Sequence, residues 1–157
     1  VGVWGHWAEV SYESTDRTVD AATSSVGGDL EMNLTAKLAL KGEGWWGRDL
    51  GAYVGGINQD YNAKLGCAVR SRGGWAALSV GPYGRVRWNA GASFDKPCPE
   101  DLNTGDKKNN YVYWLNAQVR LDGASRMGIE VSRWKTEYMD APAGDSVRAQ
   151  TSFCYDF

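Results

Sequence analysis

His6 is the only histidine in the chain, and a histidine beside a serine or an acid can carry hydrolysis or acyl transfer. Its available companions are Glu9, Ser11 and Glu43, but no motif fixes their geometry. His6 therefore reads as a hydrogen-bonded filler, and neither a catalytic residue nor an enzyme activity is expected. The glycine-rich run Gly51-Ala52-Tyr53-Val54-Gly55-Gly56 follows no strand-to-helix pattern. It reads as a tight loop folding back on a rim rather than a phosphate cradle. The stretch from Asp95 to Asp101, with Asp106-Lys107-Lys108 after it, has the chemistry to hold a cation or a phosphate, and reads first as a solvated loop. Asn33-Leu34-Thr35 matches a glycosylation acceptor but lies inside an expected strand. The 3 cysteines contain no C-x-x-C pair, so no metal and no cofactor is expected. One disulfide with a spare thiol and three free thiols both fit the count; Cys67 with Cys98 is the pairing allowed at an oxidising outer rim.

What positions these residues is a period of two. Val26, Leu30, Met32 and Leu34 alternate with Asp29, Glu31 and Asn33, and Leu115, Ala117, Val119 and Leu121 with Asn116, Gln118 and Arg120. Met127, Ile129 and Val131 repeat the pattern, as do Val86, Trp88, Ala90 and Ala92, and then Val147, Ala149, Thr151, Phe153, Tyr155 and Phe157. Eight strands are expected at roughly 1–12, 24–35, 37–48, 67–80, 85–94, 109–121, 125–138 and 145–157. Short turns at 35–37, 81–84 and 122–125 alternate with longer polar connections at 13–22, 49–66, 95–108 and 139–144. No linker interrupts the pattern, so residues 1–157 form one domain.

Composition narrows the partners. Lys plus Arg is 17 against Asp plus Glu 19, a net charge of −2, which leaves no basic field for nucleic acid. No apolar run approaches the ~18 residues of a membrane helix, which leaves a membrane β-barrel open. Gly 20, Trp 8 and Tyr 8 suit close-packed strands with interfacial rings.

Alternation alone fits either a soluble barrel, apolar side inward, or a membrane barrel, apolar side outward. Four features favour the second. An apolar face such as 26–34 tilts into a band of ~23 Å, close to the ~25 Å of a lipid-facing belt. The polar faces carry Asn, Gln, Ser, Gly and Arg rather than Lys and Glu, as a packed interior would. Connections alternate short and long, and eight is an even number. Aromatics gather near strand ends: Trp7, Tyr12, Trp45, Trp46, Tyr111, Tyr113, Tyr138, Phe153, Tyr155 and Phe157.

The ending Phe153-Cys154-Tyr155-Asp156-Phe157 resembles the C-terminal assembly signal of Gram-negative outer-membrane barrels, with Phe153, Tyr155 and Phe157 as its aromatic positions. Cys154 departs from that pattern, where an ordinary small or aliphatic residue belongs. Gly55-Gly56-Ile57-Asn58-Gln59, Arg70-Ser71-Arg72-Gly73-Gly74-Trp75, Leu102-Asn103-Thr104-Gly105-Asp106 and Ser132-Arg133-Trp134-Lys135-Thr136-Glu137-Tyr138 are similar to stretches near the C-terminal end of longer porin-like proteins. The resemblance implies an antiparallel, transmembrane up-and-down β-barrel with short periplasmic turns and long outer loops. It implies a bacterial outer-membrane location, with the lipid bilayer, lipopolysaccharide and the outer-membrane assembly machinery as partners. A homo-oligomer is compatible with it. The role is a structural shell or passive small-solute pore; the alternative is the C-terminal portion of a larger solute-conducting porin. A soluble barrel around an apolar ligand is the third reading.

The expected lumen sets Asp29, Glu31, Glu43 and Glu130 against Lys41, Arg85, Arg87, Arg120 and Arg148. Trp4, His6, Trp134 and Tyr138 fill the remainder. Such balance suggests charges pairing across a narrow, plugged barrel, since a selective channel usually shows one sign of charge.

Overall fold

The computed structural model describes residues 1–13, 18–53 and 55–156. Its strands are β1 (Gly2–Glu13), β2 (Thr18–Thr35), β3 (Leu38–Arg48), β4 (Tyr61–Asn62), β5 (Cys67–Ala68), β6 (Arg70–Tyr83), β7 (Val86–Pro97), β8 (Lys107–Arg120), β9 (Ser125–Tyr138) and β10 (Ala141–Tyr155). Eight of them make one antiparallel sheet in the order β1-β2-β3-β6-β7-β8-β9-β10, while β4 and β5 pair only with each other. Each of the eight covers or closely overlaps a span expected from alternation, because a period of two is stable only where successive side chains meet different surroundings.

Two connections differ from expectation. Residues 139–144 form no long loop: β9 and β10 meet across Met139-Asp140, and the polar residues after them enter β10 through a bulge between Ala141 and Gly144. Asp140 supplies the positive φ (55°) that so tight a turn needs. β2 begins at Thr18, so most of the connection expected at 13–22 is strand. The described long connections are 49–69, which contains the β4–β5 hairpin, and 98–106.

The larger correction concerns closure. β1 pairs only with β2 and β10 only with β9, so the expected eight-stranded barrel is an open sheet. All fifteen residues of β10 are exposed, on both faces. The physical reason lies in what the sheet must enclose. An eight-stranded barrel is just wide enough for its own side chains. Here one face carries Trp4, Trp45, Trp75, Trp114 and Trp134, and the connection 49–69 lies over it as well. Closure also requires one tilt and stagger shared by every strand, a property that no single strand's alternation encodes.

The face covered by 49–69 is called inner, and the opposite face bare. Register places Trp4, His6, Ser25, Asp29, Glu43, Trp75, Asn89, Asn116, Glu130 and Gln150 on the inner face. Asn89 donates to Asn116 at 2.7 Å, and Asn116 and Gln150 both donate to Glu130, at 3.1 and 3.0 Å. This chain of amide-to-acid bonds ties β7 to β10 across four strands.

The bare face carries the apolar half of the alternation. Leu78 is 45% exposed, Leu115 54%, Ile129 49% and Val147 72%, with Val3, Val26, Met32, Leu34, Trp88 and Val131 alongside them. Among the described residues, buried hydrophobic residues are few: Ala21, Leu50, Val69, Leu102 and Val112. They gather where 49–69 and 98–106 meet the sheet, not between two layers.

Several inner-face indoles depend on glycine. A Cβ at Gly27 would run into the Trp4 ring, and one at Gly91 into the Trp114 ring and to 2.7 Å from the Ala76 carbonyl. Glycine thus lets each ring lie flat across its neighbouring strand.

Candidate functional site

The connection 49–69 crosses the inner face from β1 to β8, and each anchor is a specific bond. Near β1, Tyr53 lies against His6 at 4.3 Å between ring centroids, and Tyr61 stacks on Tyr12 at 5.2 Å. The Tyr12 hydroxyl donates to Asp49, which Thr23 also pins by donating to the Asp49 carbonyl at 2.6 Å. Toward β7 and β8, the Ile57 N–H donates to the Asp95 carboxylate at 2.9 Å. Gln59 donates to the Lys107 carbonyl at 2.8 Å and accepts from the Lys107 N–H at 3.0 Å. Asn62 reaches the Asp101 carbonyl at 2.8 Å.

Ile57 and Asn58 hold positive φ values of 54° and 59°. For a β-branched residue such as Ile57 that is strained backbone, retained because it aims the N–H at Asp95. Asp95→Ala is therefore expected to release the crossing. Hydrogen–deuterium exchange at Ile57 and Gln59 should quicken at least tenfold, while β8–β9 amides stay as they were.

The second connection is held by Arg70. Its Nε and Nη2 donate to the two Asp101 oxygens at 2.8 and 2.9 Å, and its backbone N–H adds a third bond at 2.9 Å. The guanidinium beside Asp101 holds that carboxyl below its ordinary range, against the opposing effect of burial. A depressed folded pKa means the stabilisation is complete above the unfolded value, about 3.9, and is lost as pH falls through the folded value. The Arg70 amide should thus remain protected from exchange through neutral and mildly acidic pH and open only below about pH 4. Asp101→Asn should abolish that acid transition.

Beneath the crossing lies a cavity of about 440 Å³, walled by Trp4, Trp45, Trp75, His6 and Tyr53, with Glu43 and Ser25 in its lining. Trp75 donates its indole N–H to Glu43 at 3.2 Å. Of the companions considered for His6, Glu43 shares this cavity, whereas Glu9 and Ser11 stand on the other face of β1. Ser11 donates instead to Asp20 at 2.6 Å. Ser25 stands opposite His6 in register and lines the same cavity, so the arrangement supplies a binding surface with these polar groups in its wall.

The nine residues expected to form a lumen charge network divide. Asp29, Glu31, Lys41, Glu43, Arg87, Arg120, Glu130 and Arg148 occupy inner-face positions. Arg85 sits in the β6–β7 turn and donates to the Leu121 carbonyl at 2.9 Å. Among the described residues one pair within this set closes as a salt bridge, Lys41 with Glu31 at 2.7 Å. Three of the acids lie on β2–β3, while the arginines lie on β7–β10 and in the β6–β7 turn.

Cys67, Cys98 and Cys154 are free thiols. Cys98 donates to Glu100 at 2.5 Å, a bond that raises its pKa, and burial raises that of Cys67. The expected Cys67–Cys98 bridge is not formed in this structure. Phe153 and Tyr155 point out from the bare face of β10, 64% and 59% exposed. Phe157, the third position of the expected assembly signal, lies outside the described residues.

The sequence signalled a loop folding back at 51–56, but not its route across the inner face or the cavity beneath it. Period two had already separated His6 from Glu9 and Ser11, and that signal was available. No family model, curated protein or solved structure matches the chain.

Proposed function

We propose that this chain forms part of the wall of a porin-like β-barrel in a bacterial outer membrane. Its bare face meets lipid, and its inner face lines an aqueous passage narrowed by the crossing at 49–69. One observation carries the reading: large apolar side chains cover the bare face, while among the described residues only Ala21, Leu50, Val69, Leu102 and Val112 are buried hydrophobic residues. A water-soluble domain of this size removes most of its apolar surface from water. An apolar belt this extensive calls for a hydrocarbon partner.

The free edges of β1 and β10 favour a segment of a wider, solute-conducting barrel over a closed and plugged shell. Unpaired strand edges are untenable in hydrocarbon, so further strands must complete the hydrogen bonding there. The bilayer, lipopolysaccharide at the outer rim and the assembly machinery acting on the C-terminal aromatics are its partners in this reading. The role is passive and non-catalytic.

The test is made on native protein extracted in detergent. Intact samples should migrate differently from boiled ones on a gel, and reconstitution into planar bilayers should give steady conductance steps. A chain that stays folded and monomeric in detergent-free buffer would overturn the membrane reading. A heat-modifiable barrel without conductance would leave a structural shell.

A further inference from the structure

We propose that the cavity beneath the 49–69 crossing binds an organic cation of the alkylated ammonium type. The site lies wholly on the inner face and is independent of what surrounds the bare face.

Three indoles, one phenol and a carboxylate converge there: Trp4, Trp45, Trp75, Tyr53 and Glu43. Aromatic faces attract cations through the ring quadrupole, and a walled site strengthens that attraction by displacing water. Gly27 and Gly73 explain why Trp4 and Trp45 can lie flat, since a Cβ at either position would strike the respective ring. Trp75 covers no glycine; its N–H fixes one oxygen of Glu43 instead, at 3.2 Å.

The charges nearby are unbalanced toward the same ligand. Register sets Asp29 directly opposite Glu43 across β2 and β3, and like charges so placed repel. The adjacent lysine cannot relieve them, because Lys41 is bound to Glu31 at 2.7 Å. Glu43, which lines the cavity, therefore has no ion partner among the described residues, and a cation between the rings would supply one. Among the described residues the buried Trp45 indole nitrogen and His6 Nε2 also lack a hydrogen-bond partner. A buried polar atom without one is uncommon, and a ligand hydroxyl can serve there. The size is right for a small ammonium, since the cavity holds about 440 Å³.

The experiment compares choline chloride with its uncharged isostere, 3,3-dimethylbutan-1-ol, by tryptophan fluorescence titration of the folded protein, with sodium chloride matching ionic strength. Choline should quench saturably, with the alcohol roughly tenfold weaker or worse. Glu43→Gln should weaken choline by about tenfold as a charge-assisted contact is lost. Trp134→Phe, on the inner face but outside the cavity, should leave binding unchanged. Equal affinity for choline and the alcohol, or no saturation with either, overturns the proposal. That contrast needs only the unmodified protein, so it stands even if Glu43→Gln fails to fold. Failure of bilayer conductance with intact choline binding would strike the porin reading alone.

Discussion

If the bare face meets lipid as proposed, Leu115→Arg is expected to cost about 2–4 kcal/mol of folding free energy in a lipid environment, the penalty for a cation near the middle of a lipid-facing belt. Leu115 sits well inside β8, between Ala90 of β7 and Val131 of β9, and is 54% exposed. In water an arginine at so exposed a position would change stability by no more than about 0.5 kcal/mol. The two environments thus predict different outcomes for one substitution. Gln150→Arg is the matched control, because Gln150 is exposed on the inner face beside Glu130. It should be close to neutral, and the new guanidinium can take over the bond to that carboxylate. Guanidinium unfolding of protein folded into lipid vesicles, followed by tryptophan fluorescence, measures both. Equal and negligible effects at both positions would remove the case for a lipid-facing belt.

That contrast depends on which face is which, and the faces were legible in the sequence. Asn116 and Gln118 alternate with Leu115 and Ala117 in the chain, and the same alternation separates hydrogen-bonded from apolar sides in the sheet. Strand spans were legible for the same reason, since the period is a local property. Closure was not, because tilt and stagger belong to the whole sheet and leave no mark on one strand's pattern. The crossing at 49–69 was half legible. Its glycines signalled a loop folding back on a rim, but its route is set by distant partners such as Asp95 and Lys107. The β4–β5 hairpin is too short to show any period. Arg85 was placed with the lumen charges by parity alone, and the turn it occupies turned it to a carbonyl instead. The cavity required knowing which indoles share a face and which are adjacent across strands. Trp4 and Trp45 lie far apart in sequence and meet only through the β1-β2-β3 register.

The same register makes the second large effect predictable, at Gly27. Gly27→Ala places a methyl inside the Trp4 ring and should cost about 1–3 kcal/mol as the indole is forced from the sheet. Trp4 belongs to β1, which pairs on one side only, and the atoms nearest that methyl are all indole carbons. Removing the indole should therefore remove the clash. In a cycle of Gly27→Ala, Trp4→Ala and the double variant, the double should be more stable than additivity predicts, by about 1 kcal/mol or more. Gly91 supplies the contrast. Its added Cβ would meet the Trp114 ring and also stand 2.7 Å from the Ala76 carbonyl, which no side-chain deletion can move. Trp114→Ala should rescue Gly91→Ala only in part, because β7 is paired on both sides and its backbone cannot retreat. Full additivity at Gly27 would mean that the indole does not lie across the strand. The wall it gives the inner-face cavity would then be lost with it.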